Sequence, residues 1–157
     1  MPTALLERIR TAALNYPVLS GSPAVTTYPL RTLLGSGSPL IFRWYNAQLI
    51  EGSPLPAVTV FSVSNPPTYV FTQRTQTTFS RVQFVIWGGQ GAAGVAAAQA
   101  VTYVLYPFFD TLNLVGIPGL AMYNNTIIGD REAVFPQTDP LIYQRVLDVR
   151  IFSNETL

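Results

Sequence analysis

Residues 81–112 read RVQFVIWGGQGAAGVAAAQAVTYVLYPFFDTL, and the reading of this stretch decides the fold. Val82, Phe84 and Ile86 alternate with Arg81, Gln83, Val85 and Trp87, the period of a half-buried strand. A glycine turn follows. Val101, Val104, Leu105, Phe108 and Leu112 then recur at three- and four-residue steps, so they share one face of a helix. A half-buried strand feeding an apolar helix is a core unit, against which other elements must pack or pair.

The turn invites a sharper reading. Gly89, Gly91 and Gly94 spell G-x-G-x-x-G after a strand and before a helix, the context of a dinucleotide site. There glycines let the backbone approach a pyrophosphate at a helix N-terminus. The surroundings argue otherwise. A fingerprint strand sits in a parallel sheet and is apolar on both faces, whereas this one carries Arg81 and Gln83. The acidic residue expected on a second strand is missing, since Asp110 lies on the helix itself. The chain has no lysine, which excludes a P-loop. The plainer reading is a tight turn with small residues where helix meets sheet.

A membrane span is the other reading of the same residues. No charge occurs between Arg81 and Asp110, a gap long enough to cross a bilayer. Yet Gln90, Gln99, Thr102 and Pro107 interrupt it, its first part alternates, and no basic cluster flanks it to set an orientation. A buried helix explains the same composition, and no membrane partner is expected.

Composition narrows the chemistry. The 157 residues suit one α+β domain, 1–157. Hydrophobic residues make up 48% and charged residues only 11%, against about a quarter charged in an average globular protein. Such a surface suggests burial against partners. Net charge is +1, so the totals carry no footprint for nucleic acid or anionic membrane. Cysteine and histidine are absent, which removes thiol chemistry, Cys- or His-based metal sites and every Ser-His or Cys-His device. Asp130 and Glu132 lie two apart, but nothing nearby in sequence would raise one of them to a working acid. No catalytic, cofactor or metal residue is expected.

From the N-terminus, Pro2 to about Tyr16 reads as a helix. Thr3 can cap it, and Leu5, Leu6, Ile9 and Leu14 form its apolar stripe. Residues 20–52 form a loop-rich excursion with an irregular strand over Leu40–Ile50. Ala57–Ser64 and Thr68–Arg74 read as strands on either side of Asn65-Pro66-Pro67. Pro107 predicts a kink in the helix that ends near Leu112. Leu120–Tyr123 and Thr126–Phe135 read as two short strands around Asn124-Asn125, 136–140 as a loop, and Tyr143–Phe152 as a last strand. No βαβ rhythm repeats. The order predicts a mainly antiparallel sheet with two helices packed on one face and long surface loops.

With that order in view, the chain resembles the tail-terminator or tail-completion proteins of long-tailed bacteriophages. The resemblance rests on LLERIRTAAL in the first helix, PAVTVFSV in a proline-led strand, RVQFVIW before the small-residue turn, and AVFPQTDPLIYQRVLDVRIF, an acidic proline loop leading to the final strand. Residues 20–52 depart from the pattern. The resemblance implies a structural virion protein without enzymatic activity or cofactor, made in the host cytoplasm and placed at the head-proximal end of the tail. It implies a homo-oligomeric ring, commonly a hexamer, that stops tube polymerisation and offers a docking face to the head-tail connector protein. Its partners would be itself, the tail tube protein and that connector, with DNA passing through the lumen without sequence readout. Another head-tail connector or tail adaptor of similar fold is the alternative, ahead of a nucleotide-binding enzyme using Gly89–Gly94. Arg43, Trp44, Tyr45 and Arg74 lie outside the firmly assigned core segments. Trp, Tyr and Arg dominate interface energetics, so these four are the interface candidates.

Overall fold

The alternating stretch becomes the central strand of the sheet. The computed structural model describes residues 2–46, 49, 52–64, 67–70, 73–115, 120–135 and 142–155. Helix α1 spans Pro2–Leu14. The small strands β1 (Val18–Ser20) and β2 (Val25–Thr27), helix α2 (Pro29–Leu34), and strands β3 (Gly35–Ser36), β4 (Ile41–Phe42) and β5 (Trp44–Tyr45) fill the excursion. The main elements follow: β6 (Ala57–Ser64), β7 (Pro67–Val70), β8 (Gln73–Gly89), α3 (Gly91–Val115), β9 (Leu120–Phe135) and β10 (Ile142–Glu155).

The architecture is α+β with the sheet dominant. The main sheet runs β5-β6-β8-β10-β9, and β7 continues along β8 beyond β6. Every pairing in it is antiparallel except β5 with β6. Phe84 sits opposite Leu147 on one side and Val60 on the other, and Val82 sits opposite Val149. Paired residues point to the same side of a sheet, so Val58, Val60, Val82, Phe84, Ile86, Leu147, Val149 and Ile151 make one apolar face. All are buried, in one cluster with Leu5, Leu6 and Ile9 of α1, Leu30 and Leu34 of α2, and Val101, Leu105, Phe108, Phe109 and Leu112 of α3. The helices therefore cover one face. Rings cross this core edge to face: Trp44 to Phe84 at 6.1 Å and Phe84 to Phe109 at 5.1 Å, with Phe108 and Tyr16 beyond at 5.3 and 5.7 Å steps.

Two expectations change. A third helix, α2, stands where no helix is legible in the sequence. It is one and a half turns long, starts on Pro29, and buries Leu30 and Leu34. Its Arg31 donates to the Leu14 carbonyl at 2.8 Å and to the Asn15 side chain, which satisfies an orphan carbonyl at the end of α1. Second, β9 is one strand rather than two. Asn124 and Asn125 pair with Phe152 and Ile151, and the register shifts nearby absorb extra residues as bulges. Ladder pairing along β10 outweighs the local turn preference of the Asn-Asn pair. As the sequence predicts, α3 continues through Pro107, and it ends at Val115, three residues beyond Leu112. The bond that Pro107 removes belongs to the carbonyl of Tyr103, whose side chain is the most exposed aromatic of the helix, so water can satisfy it. The side chain of Thr3 and the expected break and loops at 65–66, 116–119 and 136–140 lie outside the described residues.

Candidate functional site

The glycine turn is closed by its own backbone. Gly89 and Gly91 have φ of +114° and +64°, the left-handed region that glycine alone enters freely. A Cβ on Gly88 would stand 2.0 Å from the Gly94 carbonyl oxygen, and one on Gly94 would stand 2.4 Å from the Gly89 carbonyl. The close approach that glycines permit is therefore spent between strand and helix, not held open for a phosphate. Both neighbours of β8 on the main path are antiparallel, so the crevice of a parallel sheet has no counterpart here.

Residues 91–112 of α3 are long and apolar enough to cross a membrane by length and composition. In this fold Ala98, Val101, Leu105, Phe108, Phe109 and Leu112 face the core. The other side, with Ala92, Ala93, Ala96 and Tyr103, is exposed.

The four interface candidates separate. Arg43 is buried, donating from Nε to the Pro56 carbonyl at 2.7 Å and from Nη2 to the Leu33 carbonyl at 3.0 Å. Trp44 is buried against Phe84, and its indole N–H donates to Asn46 Oδ1 at 3.2 Å. Both hold the excursion to the body and present no side chain to a partner. Burial of both side chains speaks against Arg43 and Trp44 as interface candidates, and the short parallel β5 sets Trp44 beside Val58 in the core. Tyr45 is half-buried, with its hydroxyl 2.8 Å from Ser53 Oγ. Arg74 belongs to β8, and its side chain lies outside the described residues.

Two polar clusters come from tertiary pairing. On the helix side of β9 and β10, Arg145 grips Asp130 with two bonds of 2.9 and 2.8 Å, and the Tyr106 hydroxyl donates to Asp130 at 2.6 Å. The Arg145 bonds hold the Asp130 carboxyl below its ordinary pKa, and hydrogen bonding to Asp130 raises that of Tyr106. An anion locked by a guanidinium and a phenol is a structural clamp and a poor base. Glu132 sits opposite Arg145 one step along, so the spacing of Asp130 and Glu132 does put them on one face.

The other cluster lies on the face of the sheet away from the helices. Asp148 accepts from Gln83 Nε2 at 2.9 Å and from Arg131 Nη1 at 2.8 Å, and Arg81 Nη2 is 3.5 Å away. Burial pushes its carboxyl up, but Gln83, Arg131 and Arg81 together outweigh that and hold it below the ordinary carboxylate range. Arg150 stands directly opposite Arg81. The alternation of β10 already places Asp148 and Arg150 on one side. The partners from β8 and β9 require the register, which no local pattern carries.

Apolar exposure concentrates in the excursion. Residues 17–28 are exposed without a break, and the β1–β2 hairpin among them shows Leu19 at 70% and Val25 at 60% exposure. Leu40 and Ile41 are also exposed. Among the described residues no cluster of acidic side chains could hold a metal ion.

No known family model matches the chain. A search of curated protein sequences likewise finds no match.

Proposed function

We propose that this protein is a structural assembly subunit, a tail terminator that closes into a homo-oligomeric ring at the head-proximal end of a phage tail tube. The observation that carries the reading is the β1–β2 hairpin. An isolated two-stranded hairpin is marginal in water, and this one exposes Val18, Leu19 and Val25 without burying a residue against its own subunit. Apolar surface left in this way marks a contact. The exposed alanine-and-tyrosine side of α3 and the sparse charge agree with it. A heterologous contact of this kind, repeated by rotation, closes into a ring. The mechanism is then geometric, with one ring face matching the tube and the other accepting the head connector.

Light scattering on the eluting full-length protein tests the reading. A discrete closed oligomer is expected. A Leu19→Ser/Val25→Ser variant should elute smaller while keeping its circular dichroism, because exposed positions contribute within about 0.5 kcal/mol to folding. In infected cells that variant should give tails of uncontrolled length or tails that fail to join heads. A wild-type monomer at high concentration, with tail length indifferent to the variant, would sink the proposal.

A further inference from the structure

We infer that two matched hairpins, β1–β2 and β3–β4, dock side by side on the uncharged outer face of α3 in a second copy of this chain. The same tetrapeptide builds both turns. Ser20-Gly21-Ser22-Pro23 recurs as Ser36-Gly37-Ser38-Pro39. Gly21 and Gly37 both have φ of +85°, which lets the chain reverse in each loop. The last pair of each ladder joins a serine to a β-branched residue, Ser20 with Val25 and Ser36 with Ile41. Those two residues are 60% and 61% exposed, and Leu19 and Leu40 beside them are exposed as well. Reversal of the chain accounts for the glycines. It does not account for apolar side chains left in water at the same place twice, which mark a contact.

Desolvation selects the receiving surface. Burying a charge costs far more than burying apolar or aromatic surface. Exposed charges stand on α1 at Glu7, on β8 at Arg81, on β9 at Asp130, Arg131 and Glu132, and on β10 at Arg150. From Gly91 to Phe109, α3 has no charged residue. Ala92, Ala96, Tyr103 and Pro107 are exposed along it, at steps of four, seven and four residues that keep them on one side of the helix. The Tyr103 ring offers contact area, and its hydroxyl can pair with backbone groups along a hairpin edge. β6 also exposes Phe61 and Val63, but Arg81 lies in the ladder beside them, opposite Ser64.

The lengths agree. Ala92 to Pro107 covers about 22 Å of helix. The two hairpins are joined by α2, Pro29–Leu34, which sets their bases about 9 Å apart. Strands of a hairpin lie about 4.8 Å apart, so both hairpins fit along the exposed side of one helix. Donor and receiver are different parts of one chain. Each copy therefore receives the hairpins of one neighbour and offers its own to the next. This contact rests on the assembly proposed above and adds to it the surface that receives the hairpins.

The chain has no cysteine, so introduced thiols report single contacts. Leu19→Cys and Leu40→Cys, one on each hairpin, are each combined with Ala96→Cys or Tyr103→Cys on α3, and the full-length double variants are treated with a short bismaleimide. Two of the four combinations should link subunits into a ladder on a denaturing gel, one hairpin to position 96 and the other to position 103. Leu19→Cys combined with Glu7→Cys on α1 should give no ladder. Ala96→Arg, which sets a charge on the receiving face, should elute as a smaller species with unchanged circular dichroism. Absence of any link to α3, or a ladder from Phe61→Cys in its place, overturns the inference. So does a dimer linked by Leu19→Cys alone, which would mean that hairpin meets hairpin. Light scattering on the same samples separates the two proposals. A closed ring without links to α3 refutes only this surface, and an open fibre linked through α3 refutes only the ring. A monomer at high concentration refutes both.

Discussion

The two faces of the main sheet are made by the same strands and have opposite chemistry. Toward the helices, Val82, Phe84, Ile86, Leu147, Val149 and Ile151 meet three helices in one apolar cluster. Away from them, Val85 and Val146 are also buried, yet no helix covers them among the described residues, and Arg81, Asp148 and Arg150 surround them. Burial on the first face comes from packing between layers. On the second, polar contacts between strands flank the buried valines, Trp87 with Thr59 and Asp148 with Gln83 and Arg131. The first face is expected to carry the stability and the second to be held in order for something else.

Mutations can break that contrast. Phe84→Ala, removing the ring at the centre of the aromatic chain, should lower the unfolding free energy by about 3–5 kcal/mol. Val85→Ala, one residue along and on the other face, should cost about 1 kcal/mol, because a cavity there can be filled by water or by moving side chains. Urea denaturation measures both. Equal losses would mean that the helix-free face is packed as a second core.

Gly94→Ala should come next. Its Cβ would press on the Gly89 backbone, and backbone yields less than a side chain, so a loss of about 3 kcal/mol is expected. Gly91→Ala meets nothing within 4 Å but sits at positive φ, and should cost about 1 kcal/mol. The reverse order would show that the strand–helix contact is loose.

Asp148 gives the most diagnostic effect. Asp148→Ala should cost about 2 kcal/mol, less than for a fully buried pair because both arginines reach water. The folded-state pKa of Asp148 lies below its ordinary value of 3.8. Its contribution is therefore complete above the ordinary carboxylate range and is lost as pH falls through the folded value. Asp148→Asn should flatten the acid limb of a stability–pH curve while leaving the neutral region nearly level. An unchanged acid limb would show that Asp148 does not anchor the arginines.

Local pattern carried some of this molecule and could not carry the rest. The alternation of 81–87 and of 143–152 identifies two central strands and their buried sides, since side-chain period depends only on backbone geometry. The steps from Val101 to Leu112 identify the core face of α3 for the same reason. The small-residue meaning of the glycine turn is legible because positive φ and close approach exclude larger side chains. Arg43 and Trp44 stand out as interface candidates by residue type, which ranks what a side chain can do at an interface without saying where the chain puts it. Their burial depends on β5 reaching β6, which no local signal announces. Asn124-Asn125 reads locally as a turn for a similar reason, because its local preference competes with a ladder supplied by a strand that comes later in the chain.

The amino-acid sequence by itself determined the class of fold, the strand–turn–helix unit at its centre and the absence of histidine and cysteine chemistry. These follow from composition and from periods that each element obeys on its own. Only the tertiary structure decided that Gly88 and Gly94 interlock, that α2 seals α1, and that Gln83, Arg81 and Arg131 gather around one buried carboxylate. Those facts depend on which residue lies opposite which across strands distant in sequence. Register is fixed by the packing of the whole sheet, not by any segment of it.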